Sequence, residues 1–180
     1  MQRLFLRLTM GLLVVLLLAG SYSCSSKDEP GWFSAEEAGF AIKFPEDWGV
    51  YADPMNWVPV VEAESPLEDE NDDFSEYVAV DVEELSSKID TKDYFAQYRN
   101  TLAQDNTYYE EIETGEVEIG GEKWMYVVYD KEMPEAFWRI LAYVTVEGGK
   151  GYVINCAAEN SQFDRHKDLM METAHSFEFE

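Results

Sequence analysis

Two glycine pairs constrain this 180-residue chain more than any other feature. Tyr108 to Ile119 alternates in polarity, Gly120-Gly121 follows, and Glu122 to Tyr129 alternates back. Phe137–Val146 and Lys150–Ala157 repeat the arrangement across Glu147-Gly148-Gly149. A period of two sends successive side chains to opposite faces of a strand. Adjacent glycines supply the positive φ angles that a tight hairpin turn needs. The second half of the chain must therefore build an antiparallel sheet from hairpin-linked strands.

The first half adds strands with weaker punctuation. Trp32–Ala35 and Gly39–Pro45 read as an opening hairpin across Glu36-Glu37-Ala38-Gly39. Trp48–Tyr51 is expected to resume the same sheet after the Pro45-Glu46-Asp47 turn. Trp57–Glu64 reads as a strand in which Pro59 demands an edge or a bulge. Tyr77–Val82 is a further strand, reached through the acidic loop Ser65–Ser75. Two helices interrupt the β pattern. Thr91 is expected to cap a helix to about Asp105, with Tyr94, Phe95, Tyr98 and Leu102 on one face. A closing helix begins near Ser161, where Ser161 and Asp164 have the spacing of a capping box. Its buried face is expected to be Phe163, Met170 and Ala174. The expected fold class is α+β, in one domain from residue 32 to residue 180.

Residues 1–23 have the order of a bacterial export signal. Arg3 and Arg7 precede an apolar run from Leu8 to Ala19, and Gly20-Ser21-Tyr22-Ser23 leads into Cys24. The run is shorter than the roughly 20 residues that span a bilayer. Ser23-Cys24 fits cleavage before a lipidated cysteine, and residues 24–31 then form a polar tether between a lipidated Cys24 and the domain. Ser21 and Ser23 equally fit an ordinary signal-peptidase cut at the same bond, which would give a soluble periplasmic or secreted protein. The lipidated reading anchors the chain in the cell envelope.

Composition narrows the partners. The chain holds 37 Asp and Glu against 13 Lys and Arg, a formal charge of −24. Loss of Arg3 and Arg7 with the signal leaves 37 acidic against 11 basic residues. Such a surface repels phosphate backbones, so nucleic acid is not expected as a partner. Anionic lipid heads are disfavoured for the same reason, and membrane attachment rests on the anchor. Cys156 lies in an apolar strand and reads as a small buried hydrophobe.

Few residues offer chemistry. His166 and His175 are nine positions apart and share no helical face. The run Asp164–Asp168 reads as an exposed, mixed-charge surface. No nucleophile elbow, zinc-helix, dithiol or phosphate-loop motif is present, so neither an enzyme nor a resident cofactor is expected. Asp69, Asn71 and Asp73 have the alternating oxygens of a calcium loop. Phe74 replaces the required glycine and Val80 the required glutamate, so no metal is expected there beyond that weak candidate. Two aromatic segments, one around Trp57 and one from Met133 to Trp138, suit either a contact patch or cover for the sheet. Trp57, Trp138 and Met133 are the candidate binding residues.

The sequence Gly39-Phe40-Ala41-Ile42-Lys43-Phe44-Pro45-Glu46-Asp47-Trp48 resembles the opening of the PsbP-like family. The Ser65-Pro66 pair, the mid-chain helix, the hairpin at Gly120-Gly121, the strand Gly151–Ile154 and the closing helix with Ser176-Phe177 are similar too. The resemblance spans roughly Gly39 to Phe179. It implies the Mog1/PsbP fold, an α/β/α sandwich around a mostly antiparallel sheet. Photosynthetic members support the oxygen-evolving side of photosystem II, and no residue here carries that role over. The family offers no general catalytic motif. The expected function is that of a non-catalytic, lipid-anchored cell-envelope protein, monomeric as a domain, that binds a protein or polymer partner. The alternative is an accessory lipoprotein holding a small ligand or metal between sheet and helix.

Overall fold

The computed structural model describes residues 31–52, 59–70, 72, 74–132 and 136–180. Residues 1–30, Cys24 among them, and Trp57, Asn71, Asp73 and Met133 lie outside the described residues. Both glycine pairs do turn hairpins. Strand β6 (Tyr109–Ile119) pairs with β7 (Glu122–Glu132), and β8 (Phe137–Glu147) pairs with β9 (Lys150–Glu159). Gly120 and Gly121 have φ of 60° and 83°. A Cβ on Gly120 would also lie 2.8 Å from the Phe177 carbonyl oxygen, so only glycine fits that corner.

Four shorter strands open the chain: β1 (Trp32–Ala35), β2 (Phe40–Lys43), β3 (Gly49–Ala52) and β4 (Val61–Glu64). With β5 (Tyr77–Glu84) they divide between two sheets. The large sheet has seven antiparallel strands in the order β3-β4-β5-β9-β8-β7-β6. The small sheet is β1-β2-β10, where β10 is Glu178–Phe179. One expectation is corrected here. The strand after Pro45 does not continue the sheet of β1 and β2 but crosses to the edge of the large one. The chain end, which carries no expectation from the sequence, pairs with β2, because Phe177 anchors it. Phe177 stacks on Phe40 at 5.2 Å and meets Trp124 edge-on at 5.1 Å, and all three rings are buried.

Helix α1 (Thr91–Asp105) covers one face of β7–β9, while α2 (Phe163–His175) and the small sheet cover the other. Strand β9 is thereby buried on both sides. The expected apolar faces hold: Tyr94 and Phe95 are buried on α1, and Phe163, Met170 and Ala174 on α2. The caps differ from expectation. Asp90 caps α1, accepting from the Asp93 amide at 2.9 Å, because Thr91 is engaged elsewhere: its Oγ1 takes the Val146 amide at 3.1 Å. At α2 the residue before the helix is Gln162, already helical and without a side-chain cap. The turn out of β9 closes with the Gln162 amide on the Glu159 carbonyl, so Ser161 does not cap.

Gly151 shows why α1 lies where it does. A Cβ there would sit 2.4 Å from the Tyr94 ring, so the missing side chain is the seat for that ring. Gly151→Ala should destabilise the fold by about 1–3 kcal/mol through overpacking. Tyr94→Leu in the same chain should recover part of the loss, read as a non-additive pair in denaturant unfolding. Strict additivity would mean the ring and the glycine are not coupled.

Candidate recognition surface

Beside α1, the same face of the large sheet continues over β3–β5 with polar side chains. The register fixes which ones. Tyr51 stands opposite Glu62, Glu62 opposite Ala79, and Ala79 opposite Asn155. Glu64 stands opposite Tyr77. Alternation along β5 then puts Tyr77, Asp81 and Glu83 on this face, while Val78 and Val80 point into the core beneath α2.

Two sets of hydrogen bonds tie this face to α1. Asn155 breaks the apolar run of β9, and its amide donates to Asp81 Oδ2 at 2.8 Å. Its carbonyl oxygen takes the Tyr98 hydroxyl at 3.1 Å. The Tyr94 hydroxyl donates to Glu83 Oε1 at 2.6 Å. Burial pushes the Asp81 carboxyl up to about 6, with Glu62 and Glu83 adding repulsion against the single bond from Asn155. Burial and the neighbouring Glu64 also raise Glu62. The phenols of Tyr77, Tyr98 and Tyr129 are driven up chiefly by burial. This face thus gathers carboxylates where burial and mutual repulsion make their charge costly.

Trp138 closes one end of the face. Its ring is half-buried, edge-on to Phe74 at 4.7 Å and to Tyr77 at 5.9 Å, with the Lys131 ammonium 5.4 Å from its centre. Phe137, on the opposite side of β8, is 49% exposed and meets Tyr108 edge-on. Trp57 and Met133, the other two candidate binding residues, lie outside the described residues.

The acidic loop folds on its own carboxylate. Asp72 accepts the Glu68 amide at 2.8 Å and the Phe74 amide at 3.1 Å, and these bonds hold its pKa below the usual range. Asp69 lines a cleft with Glu68, Glu76 and His166. Among the described residues no three His, Cys, Asp or Glu side chains converge as metal ligands would. His166 departs from the exposed surface expected of it. Its side chain is only 15% exposed, with Nε2 at 3.5 Å from Glu76 and 3.6 Å from Glu68. Those partners are some ninety residues away in sequence, where spacing along a helix gives no signal.

His175 lies apart, edge-on to Tyr143 at 5.6 Å, and partial burial lowers its pKa. It borders a second cleft of about 300 Å³ between α2 and β6–β8, floored by Val117, Val128, Leu141 and Met171. Cys156 is fully buried, its thiol 3.6 Å from the Met170 carbonyl, and burial pushes its pKa up. No described helix is long and apolar enough to cross a membrane.

No family model and no curated protein matches the sequence. Solved structures do match. Cyanobacterial PsbP (CyanoP) from Synechocystis sp. PCC 6803 superposes with a TM-score of 0.61, covering 88% of this chain and 98% of its own at 19% identity. LpqN of Mycobacterium tuberculosis, described as involved in cell envelope biogenesis, gives 0.59 over 77% and 82% at 12% identity. A point mutant of Mog1 gives 0.53 over 84% and 96% at 15% identity. The fold is Mog1/PsbP-like. At these identities the likeness is one of fold, and the Mog1/PsbP-like frame does not by itself assign a site.

The buried carboxylate makes a pH prediction. Unfolded, Asp81 titrates near 3.8; folded, near 6. Between those values the native state holds the extra proton, so this group's contribution falls as pH rises through the window, by roughly 3 kcal/mol in full. Asp81→Asn should raise the thermal midpoint at neutral pH and flatten the pH dependence between about 4 and 6. An unchanged midpoint and profile would remove the strain from the account.

Proposed function

We propose that this chain is a non-catalytic, lipid-anchored protein of the bacterial cell envelope that binds a protein or polymer partner through the α1 side of the large sheet. The observation that carries the reading is Asp81. A carboxylate raised to about 6 by burial, beside the also raised Glu62, opposes folding at neutral pH. It accepts one side-chain bond, from Asn155 at 2.8 Å, so a partner's donors or cations placed over this face would offset that cost. Tyr51, exposed at 59%, and the half-buried Trp138 flank the carboxylates and supply apolar contact area. The net charge of −24 favours a basic or polar partner. The export-signal order ending at Cys24 and the fold likeness to LpqN, described as involved in cell envelope biogenesis, support an envelope setting.

A second reading, a carrier of a small ligand, is favoured by one observation. The cleft between α2 and β6–β8 has an apolar floor and a rim of Glu113, Lys167 and His175, at the small end of ligand-pocket volumes. A ligand seated there would protect Met171 from oxidation and raise the thermal midpoint. It would leave the Asp81 face unchanged.

The test uses the full chain in its native envelope. Wild type should partition with membranes and co-purify a stoichiometric partner after cross-linking. Cys24→Ala should move the protein to the soluble fraction, and Glu62→Gln with Asp81→Asn should lose the partner by about tenfold while folding normally. Membrane partition unaffected by Cys24→Ala would exclude the anchor. Undiminished co-purification by the double variant would exclude this face.

A further inference from the structure

We propose that the outer edge of β6 is a docking edge for an extended, lysine- or arginine-bearing segment of another protein, added as an eighth strand. Strand β6 ends the seven-stranded sheet, and beyond a bulge between Glu111 and Glu113 its ladder runs in regular register from Glu113 to Ile119. The outward N–H and C=O groups of such a strand need partners or water. Among the described residues, only the Ile119 carbonyl receives a bond from outside the ladder, from the Trp124 indole at 3.2 Å.

Chemistry selects the occupant. Strand β6 carries five glutamates and no basic residue. Arg99 neutralises Glu111 and Lys123 neutralises Glu116. Among the described residues, Glu110 and Glu113 accept tyrosine hydroxyls, from Tyr108 and Tyr126, and neither forms an ion pair. A second copy pairing on this edge would set glutamate against glutamate across the new ladder, which disfavours it. A strand alternating cationic and apolar side chains meets the edge with opposite charge. Its apolar members have somewhere to go, because the cleft floored by Val117, Val128, Leu141 and Met171 opens along β6 on the α2 side. Gly115 seats the Tyr126 ring against β6, since a Cβ there would stand 2.6 Å from it, and the ring forms part of the cleft wall. Main-chain pairing supplies affinity and the alternate side chains supply selection, the general logic of strand addition. This edge lies at the far side of the sheet from β3–β5, so the inference does not depend on the reading of the Asp81 face.

The full chain, isotope-labelled, is titrated with a blocked peptide alternating lysine and valine, and followed by amide NMR and hydrogen exchange. Saturable shifts and slowed exchange confined to β6 and the cleft are expected. Replacing two valines by proline removes strand donors and should weaken binding about tenfold or more. Glutamate in place of lysine should abolish it. A Glu113→Lys, Glu118→Lys variant with an unchanged thermal midpoint should bind the lysine peptide about tenfold more weakly. Equal binding of the proline peptide would reduce the contact to bulk charge and overturn strand addition. Shifts centred on Tyr77 and Trp138 would overturn the location. Protection of β6 that grows with protein concentration alone would assign the edge to a second copy and overturn the proposed partner.

Discussion

Asn155 is the constraint from which the candidate recognition surface follows. It sits in β9, the strand buried on both faces, where an unpaired amide would cost about 1–3 kcal/mol. Its side chain must therefore find partners within the sheet layer. It finds Asp81 on β5 and Tyr98 on α1. That requirement holds a carboxylate in a half-dry position, orients α1 across the sheet, and keeps the face over β3–β5 polar where an apolar surface would otherwise extend. Tyr94 sets the other end of α1 through Gly151 and Glu83. Fold and site share these few contacts.

Much of the fold was legible because its signals are local. The glycine pairs, the alternating runs and the one-sided helices depend on residues within a dozen positions of one another, and both hairpins and both helices stand where the pattern puts them. The chain's partition into two sheets was not legible. Nothing near Trp48 says that β3 abandons β2, and nothing in Ser176-Phe177-Glu178-Phe179 says that a two-residue strand returns to Phe40. The second outcome depends on the Phe40–Phe177–Trp124 contact, which joins the beginning, middle and end of the sequence. The caps were misread for a similar reason: Thr91 has a tertiary partner in β8 that a local rule cannot see.

The site was less legible still. Aromatic segments pointed to Trp138, which the fold sets in a cluster with Phe74 and Tyr77 at one end of the polar face. The carboxylates that give this face its character come from β4 and β5, where Glu62, Asp81 and Glu83 read in sequence as the solvent side of ordinary strands. The signal that could have found them is Asn155, a polar residue inside the apolar run Tyr152–Ala158. In a chain with 37 Asp and Glu, the part-buried carboxylates do not stand out from the exposed ones by sequence. Burial and register separate the two kinds.

The most direct test places a photo-cross-linkable amino acid at Tyr51, on the polar face, and separately at Leu169, exposed on α2. Both are illuminated in intact cells. The account predicts a discrete, recurrent adduct from position 51 and none above background from position 169. Adducts of equal yield from both positions, or from 169 alone, would contradict a partner bound on the α1 side of the sheet.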